Sequence, residues 1–99
     1  KLSGSQIDVS KEDYQEVLAK GIELTVNLKA EKTKEISDFK NEKEQLIYVY
    51  SGVIELKNKE KTNIFFTGDF FVIPKNYEGN WKTTGHGLVK YISVEKTEN

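Results

Sequence analysis

The chain of 99 residues is long enough for one domain with a single modest core. Its 15 basic residues are all lysines and stand against 16 acidic residues, for a net charge of -1. This balance excludes the basic surface that non-specific nucleic-acid binding requires, and the lack of arginine excludes bidentate phosphate recognition. Without cysteine, the sequence has no disulfide, thiol nucleophile or thiolate metal site.

The sequence carries no apolar run of membrane-spanning length and no segment that resembles a signal peptide. We therefore expect a cytoplasmic protein with no membrane or nucleic-acid partner. Because the chain starts at Lys1, a removed export signal is the alternative. Residues 1–9 are predicted to be a polar N-terminal arm, and residues 10–99 a single β domain.

The first predicted element is a short helix over Lys11–Lys20. Ser10 is a typical N-cap, and acidic residues follow in the first turn. Tyr14, Val17 and Leu18 then fall at helical spacing. We expect this helix to cover a sheet face or one end of a barrel.

Strand patterns begin directly after this segment. Ile22, Leu24, Val26 and Leu28 alternate strictly with polar residues, which predicts a half-buried strand. The highly charged segment Glu31–Lys43 follows, and it predicts a loop with one weak strand near its middle.

Short apolar runs bounded by turn residues fill the rest of the chain. Gly52 ends one run, Gly68 and Asp69 separate two others, and Pro74 closes the next because proline cannot donate to a ladder. The first run has almost no polar position, which predicts that both of its faces are covered. Such a series is typical of an all-β sandwich or barrel. The predicted strands are Gln45 to Tyr50, Val53 to Lys57, Thr62 to Phe66, Phe70 to Ile73, Asn80 to Thr83 and Leu88 to Val94.

The order of these motifs from Gln45 to Val94 resembles the cupin superfamily. Gly52 matches the glycine that ends the first cupin motif, and Gly68 with Pro74 matches the second motif. The resemblance implies an all-β fold, a single jelly-roll (double-stranded β-helix) barrel that encloses a cavity. With the short N-terminal helix, this completes the predicted architecture.

Two further motifs resemble a subgroup of that superfamily. Gly79-Asn80-Trp81 and Lys90-Tyr91 are similar to the small single-domain cupins grouped with ureidoglycine aminohydrolase and the ethanolamine-utilisation cupins. Since one fold hosts many functions, this resemblance indicates a fold and a cavity rather than a reaction.

The metal ligands of the wider superfamily have no counterparts in this sequence. The resemblance places Gln45 at the glutamate position, Gly79 at the last histidine position, and Asp38 and Lys40 near the histidine pair. His86 is the only histidine; it is read as a solvated turn residue or, alternatively, as an acid/base group at a rim. Since a metal site needs three or four converging ligands, we expect no metal and no cofactor.

Four residues are candidates for ligand binding: Gln45, Tyr77, Trp81 and Lys90. A buried Gln45 either orients a polar ligand or satisfies backbone groups near its strand end. Trp81 is either a core residue or the flat wall of a pocket. Tyr77 lies in the turn expected at the cavity mouth. Lys90 either faces solvent or points inward, where it could bind a carboxylate or act as a base.

These features predict a small, metal-free, cupin-like protein that binds a small polar or carboxylated molecule in its barrel. The alternatives are an enzyme acting on a small nitrogenous or sugar-like substrate, and a dimeric interaction module without a ligand. The abundance of aromatic residues in the strands predicts more apolar surface than one lumen needs, and hence a homodimer. The residues predicted to be buried are Ile47, Val49, Ile64, Phe66, Phe71, Ile73 and Trp81.

Overall fold

The computed structural model describes residues 12–97, and this part of the chain forms two antiparallel sheets without a helix. The five-stranded sheet has the order β1-β2-β9-β4-β7, and the four-stranded sheet has the order β3-β8-β5-β6. The predicted arm, residues 1–9, lies outside the described residues. The strands are β1 Tyr14–Lys20, β2 Leu24–Glu31, β3 Lys34–Lys40, β4 Gln45–Ser51, β5 Val53–Lys57, β6 Thr62–Phe66, β7 Phe70–Ile73, β8 Glu78–Thr84 and β9 Val89–Lys96.

The predicted N-terminal helix is wrong, because residues 14–20 form the edge strand β1. This strand pairs with β2 in antiparallel register, from Tyr14 opposite Ala30 to Lys20 opposite Thr25. A bulge between Val17 and Ala19 inserts one extra residue. The insertion changes the phase of the alternation, so that apolar side chains fall at helical spacing in a strand. Pairing with the edge of β2 here overrides the local helix signals.

The predicted single closed barrel is also not formed among residues 12–97. Each sheet has two edge strands that lack a second partner there, β1 and β7 in the five-stranded sheet and β3 and β6 in the four-stranded sheet. Strands β6 and β7 are joined by a tight turn but belong to different sheets, so the chain crosses the gap instead of continuing a ladder. Side chains close the two flanks. Phe65 and Phe71 stack with ring centroids 3.7 Å apart, and Lys34 of β3 forms an ion pair with Asp13 beside β1.

The hydrophobic core lies between the two sheets. The predicted burial is confirmed for Ile47, Val49, Phe71, Ile73 and Trp81. It is wrong for two residues of β6, which lie on the outer face: Ile64, with 48% of its surface exposed, and Phe66, with 57%. In β6 the residue that faces the core is Phe65, not its neighbours Ile64 and Phe66. Phe65 lies opposite the fully buried Ile54 of β5.

The inward face of β2 is polar, which the alternation alone did not reveal. Asn27 lies opposite Ser93 of β9, and both are buried. Successive side chains of a strand alternate between faces, so Val26 and Leu28 lie on the outer face of the five-stranded sheet. The interior therefore has an apolar part around β4 and β7 and a polar part where β2 meets β9.

The predicted turns are confirmed in detail. The Asp69 carboxylate accepts a hydrogen bond from the Phe66 backbone N–H at 2.8 Å, and Gly68 has φ of +96°. Asn76 has φ of +73°, the left-handed geometry that asparagine tolerates. No helix in residues 12–97 has the length and apolar character needed to cross a membrane.

The two adjacent phenylalanines of β6 provide a test of its phase. Phe65→Ala removes the ring that stacks on Phe71 and should lower the free energy of unfolding by about 2–4 kcal/mol. Phe66→Ala is the matched control and should change it by less than about 0.5 kcal/mol, because that ring is exposed. Chemical denaturation followed by circular dichroism measures both; equal losses would contradict the assigned faces.

Candidate functional site

A carboxylate held by two aromatic donors marks the polar part of the interior. Glu31 accepts a hydrogen bond from Trp81 Nε1 at 2.8 Å and another from the Tyr91 hydroxyl at 3.3 Å. The two rings pack edge-on, with centroids 5.5 Å apart, and both side chains are buried. Since Trp81 belongs to one sheet and Tyr91 to the other, Glu31 ties the two sheets together.

The environment of Tyr91 keeps this residue a hydrogen-bond donor. Burial raises the pKa of the Tyr91 phenol far above its ordinary value, and the negative charge of Glu31 and the hydrogen bond to it raise that pKa further. The hydroxyl therefore stays protonated to a higher pH than that of an ordinary tyrosine, which loses its proton near pH 10, and it continues to donate to the carboxylate there.

Asn27 has a buried acceptor without a donor. Only 5% of its surface is exposed, and its Oδ1 has no hydrogen-bond partner within residues 12–97. It shares the inward face of β2 with Lys29 and Glu31, whose Cα atoms follow at steps of about 7 Å. A buried polar atom left unpaired costs about 1–3 kcal/mol, so this position suits an N–H or O–H donor from a bound molecule or water.

A groove of about 390 Å³ opens beside Glu31, between β1, β2 and β9. This volume falls within the range of small-molecule sites. Lys29 and Glu31 place opposite charges along it, and Asn27 lies one cross-strand row further along the same face. The groove is lined by Asp13, Tyr14, Gln15, Lys29, Ala30, Glu31 and Tyr91.

A larger recess of about 620 Å³ lies near the ends of β3, β5 and β8. All of its charged lining residues, of both signs, are exposed to solvent. A side chain at Gly79 would not fit there, because a Cβ atom would lie 2.5 Å from the carbonyl oxygen of Lys57. We regard the groove at Glu31 as the better candidate site, since it combines buried aromatic donors with a nearby unpartnered acceptor.

The structure places Gln45 in a hydrogen-bond network that fixes the turn after β7. Its Oε1 accepts from Ser93 Oγ at 2.7 Å, and its Nε2 donates to Asn41 Oδ1 at 2.7 Å. Asn41 Nδ2 in turn donates to the carbonyl oxygens of Ile73 and Pro74 at 3.0 and 2.8 Å. Gln45 thus supports the backbone through Asn41, and its amide oxygen and nitrogen each have a protein partner.

The other sequence-predicted site residues are dispersed. Trp81 packs in the core, 5.2 Å from the ring of Phe39, and also donates to the groove carboxylate. Tyr77 is half-buried against the same Phe39 ring, and its hydroxyl has no hydrogen-bond partner within residues 12–97. Desolvation by burial raises the pKa of that phenol. Lys90 lies next to Tyr91 in β9, opposite Ala30, and therefore faces away from the interior. The structure does not bring Lys90 together with Gln45 and Trp81.

Asn27 and Glu31 were missed by the sequence reading. Both belong to the polar half of an alternating strand, and a polar half is normally assigned to solvent. The alternation did place them on one face, but only the pairing of β2 with β9 shows that this face is internal.

Residues 12–97 contain no group of three or more histidine, cysteine, aspartate or glutamate side chains placed to hold a metal ion. The positions that correspond to superfamily ligands also do not fit one. Gln45 is engaged by Asn41 and Ser93, and Gly79 has no room for a side chain. His86 is exposed in the turn between β8 and β9. We therefore derive no metal chemistry for this chain.

Trp81 connects the core to the candidate site, and its truncation should affect both. Trp81→Ala should lower the free energy of unfolding by about 3–5 kcal/mol, because it removes a buried ring. Trp81→Phe keeps a ring against Phe39 but removes the donor to Glu31, and it should have an intermediate effect. Urea denaturation measures both variants. An unchanged free energy of unfolding for Trp81→Ala would contradict the assignment to the core.

The raised pKa of Tyr91 predicts a pH dependence of stability. The folded state holds the phenol proton more tightly than the unfolded chain, so this contribution is full below about pH 10 and is lost as the pH rises beyond it. Between about pH 9 and pH 11, the parent should therefore lose more unfolding free energy than Tyr91→Phe. Urea denaturation across this range gives both slopes, and parallel slopes would contradict the prediction.

Comparisons with known proteins give the family. The EutQ-like cupin domain matches residues 23–91. Three similar solved structures are EutQ from Clostridium difficile, the polyketide cyclase RemF from Streptomyces resistomycificus, and an RmlC-like cupin with a double-stranded β-helix fold from Methanocaldococcus jannaschii. No curated protein matches the chain by sequence.

These structures resemble the chain over most of its length at low sequence identity. EutQ is 16% identical, with a TM-score of 0.70 over 90% of this chain and 72% of that protein. RemF is 18% identical, with a TM-score of 0.70 over 89% of this chain and 67% of that protein. The RmlC-like cupin is 11% identical, with a TM-score of 0.67 over 88% of this chain and 82% of that protein. At such identities the likeness establishes the fold, and the predicted double-stranded β-helix architecture is confirmed at that level. With the domain match, it follows that this chain belongs to the EutQ-like cupin domain family.

Proposed function

We propose that this cupin binds a small polar molecule bearing N–H or O–H donors in the groove beside Glu31. The observation that carries the proposal is the Glu31 carboxylate in the groove lining, which Trp81 and Tyr91 orient by hydrogen bonds. Asn27 Oδ1, which lies beyond that lining on the same face of β2, is buried and has no partner within residues 12–97. A ligand donor at this atom would remove the cost of about 1–3 kcal/mol of leaving the acceptor unpaired.

The surrounding groups support a polar ligand of small size. Glu31 offers an acceptor in the groove, and its carboxylate is oriented by hydrogen bonds from Trp81 and from Tyr91, of which Tyr91 also lines the groove. Lys29 at the same groove can meet an acceptor or a negative group of the ligand. This arrangement replaces the sequence-based anchors Gln45 and Lys90, since the first has protein partners and the second lies on the opposite face.

The comparisons do not favour one reaction. The same fold is found in a polyketide cyclase and in EutQ proteins, so the fold alone does not decide between a binding protein and an enzyme. We therefore base the proposal on the groove residues, and we propose ligand binding without assigning a reaction.

The proposal can be tested with three simple probes: 1,2-propanediol, ethylamine and acetate, each at millimolar concentration. Nitrogen–proton NMR spectra should show that the diol or the amine shifts the Asn27 side-chain amide and the Trp81 indole resonances. Asn27→Leu removes the acceptor and keeps the branched shape of the side chain, so it should abolish the shift of the Trp81 indole resonance while the melting temperature stays equal or rises. Lys90→Ala, on the outer face of β9, is the control and should leave the shifts of both resonances unchanged.

Two results would count against this site. Binding of acetate alone, with loss of binding in Lys90→Ala, would favour a carboxylate site at Lys90. A spectrum of the parent protein unchanged by all three probes would remove the support for a donor-bearing ligand in the groove.

A further inference from the structure

The two flanks of the sandwich are closed to different degrees. On one flank, Phe65 of β6 stacks on Phe71 of β7. On the other, which we call the open flank, the Lys34–Asp13 ion pair bridges the sheets only near the first residues of β3 and β1. The five-stranded sheet extends one strand further there than the four-stranded sheet, so β1 has no strand opposite it among residues 12–97.

Apolar side chains on the inner faces of both edge strands stay exposed at the open flank. Val17 of β1 lies opposite Asn27, which is 5% exposed, yet Val17 itself is 56% exposed. Ile36 of β3 lies opposite Trp81, which is 4% exposed, yet Ile36 is 41% exposed. Directly opposite residues of an antiparallel pair share a face, so Val17 and Ile36 both point toward the interior. A strand added beside β3 covers both of them, since it lies opposite β1.

Residues 12–13, the first that the structure describes, lie at one end of the open flank. The Lys32 backbone N–H donates to Asp13 Oδ1 at 2.7 Å, and Lys32 Nζ lies 3.4 Å from Glu12 Oε1. Residues 12–13 therefore accompany the chain where it crosses from β2 in one sheet to β3 in the other. The residues before Glu12 reach this point in the direction opposite to that in which β3 leaves it, as an antiparallel neighbour of β3 requires.

We propose that residues 1–11 add to the free edge of β3 as an antiparallel strand and cover the open flank. β3 has seven residues, or about 23 Å of strand, and the residues before Glu12 are enough to pair with all of it. The segment contains no proline, so each of its residues can donate to a ladder. Ile7 and Val9 stand two residues apart, with Asp8 between them, which gives the segment one apolar and one polar face.

The contact of Asp13 with Lys32 sets the expected register. Counting four residues back from Asp13 and four forward from Lys32 places Val9 opposite Ile36. Val9 then faces the interior, and Asp8 faces solvent. A shift of one residue would turn Asp8 inward and Val9 outward, so burial selects this register.

The added strand would also change the groove beside Glu31, which residues 13–15 line at the same flank. The strand lies opposite β1 and closes the groove from the side of the four-stranded sheet. Such a wall buries more of the surface of a bound small molecule. Only this consequence rests on the proposed ligand site, whereas the placement of the strand stands or falls with the contacts of Val9.

Because the chain has no cysteine, a pair of introduced thiols can report the contact of Val9 with Ile36. Directly opposite residues have Cα atoms about 4.5–5.5 Å apart, a distance that a disulfide spans. The double variant Val9→Cys/Ile36→Cys should therefore form an intrachain disulfide in oxidised glutathione. Val9→Cys/Ile64→Cys is the control, since Ile64 is similarly exposed, at 48%, but lies on the far edge strand β6. Mass spectrometry and non-reducing gels should show that the first pair closes at least roughly tenfold faster, because opposite thiols have the higher effective concentration.

The parent protein provides a second measurement that does not depend on how the variants fold. Nuclear Overhauser effects should connect the methyl groups of Val9 with those of Ile36, and their absence would overturn the proposal. Equal closure rates of the two thiol pairs would overturn it as well. A disulfide between two chains, in place of the intrachain one, would also contradict it, since the free edge of β3 would then hold the segment of a second copy.

Discussion

The Glu31 carboxylate is the contact on which the geometry of the interior depends. Its two oxygens accept from Trp81 of the four-stranded sheet and from Tyr91 of the five-stranded sheet. Hydrogen bonds to an ionised acceptor are stronger than those between neutral groups, and here both donors are buried. Both donors belong to the hydrophobic core, one from each sheet. The contact therefore joins the two sheets beside the groove.

A second constraint is the phase of β2 relative to β9. Strand β2 directs its polar residues inward and its apolar residues outward, the reverse of a strand on a simple two-layer core. A shift of the register by one residue would exchange the two sets and destroy both surfaces. This single strand thus contributes polar side chains to the interior and apolar side chains to the outer surface of the sheet. The two surfaces share no residue, because successive side chains point to opposite faces.

The far end of the interior is held by amide groups rather than by charge. Asn41 is 3% exposed, and its side chain donates to two carbonyl oxygens of the turn after β7 while accepting from Gln45. A buried side chain with all of its strong acceptors and donors engaged specifies one backbone arrangement. This explains why a glutamine occupies the first position of β4 without requiring a ligand there.

The sequence by itself determined the all-β class, most strand positions and the turn chemistry. These depend on local features: the apolar runs of β4 to β9, the left-handed geometry at Asn76, and the N–H acceptor of Asp69. The family resemblance was likewise contained in motifs that are contiguous along the chain. Each of these features depends on residues that are close together in the sequence, which is why a local pattern was enough to predict them.

Only the tertiary structure decided which face of each strand is internal. The local pattern determined which residues of β2 and β6 share a face. Pairing with β9 determined which face of β2 is internal, so Glu31 and Asn27 lie in the interior. Pairing with β5 did the same for β6, so Ile64 and Phe66 are exposed. The same holds for β1, where the edge of β2 and one bulged residue outweighed the helix signals. Hydrogen bonds between distant strands are invisible in a local window, and they are what brings Glu31, Trp81 and Tyr91 to one place.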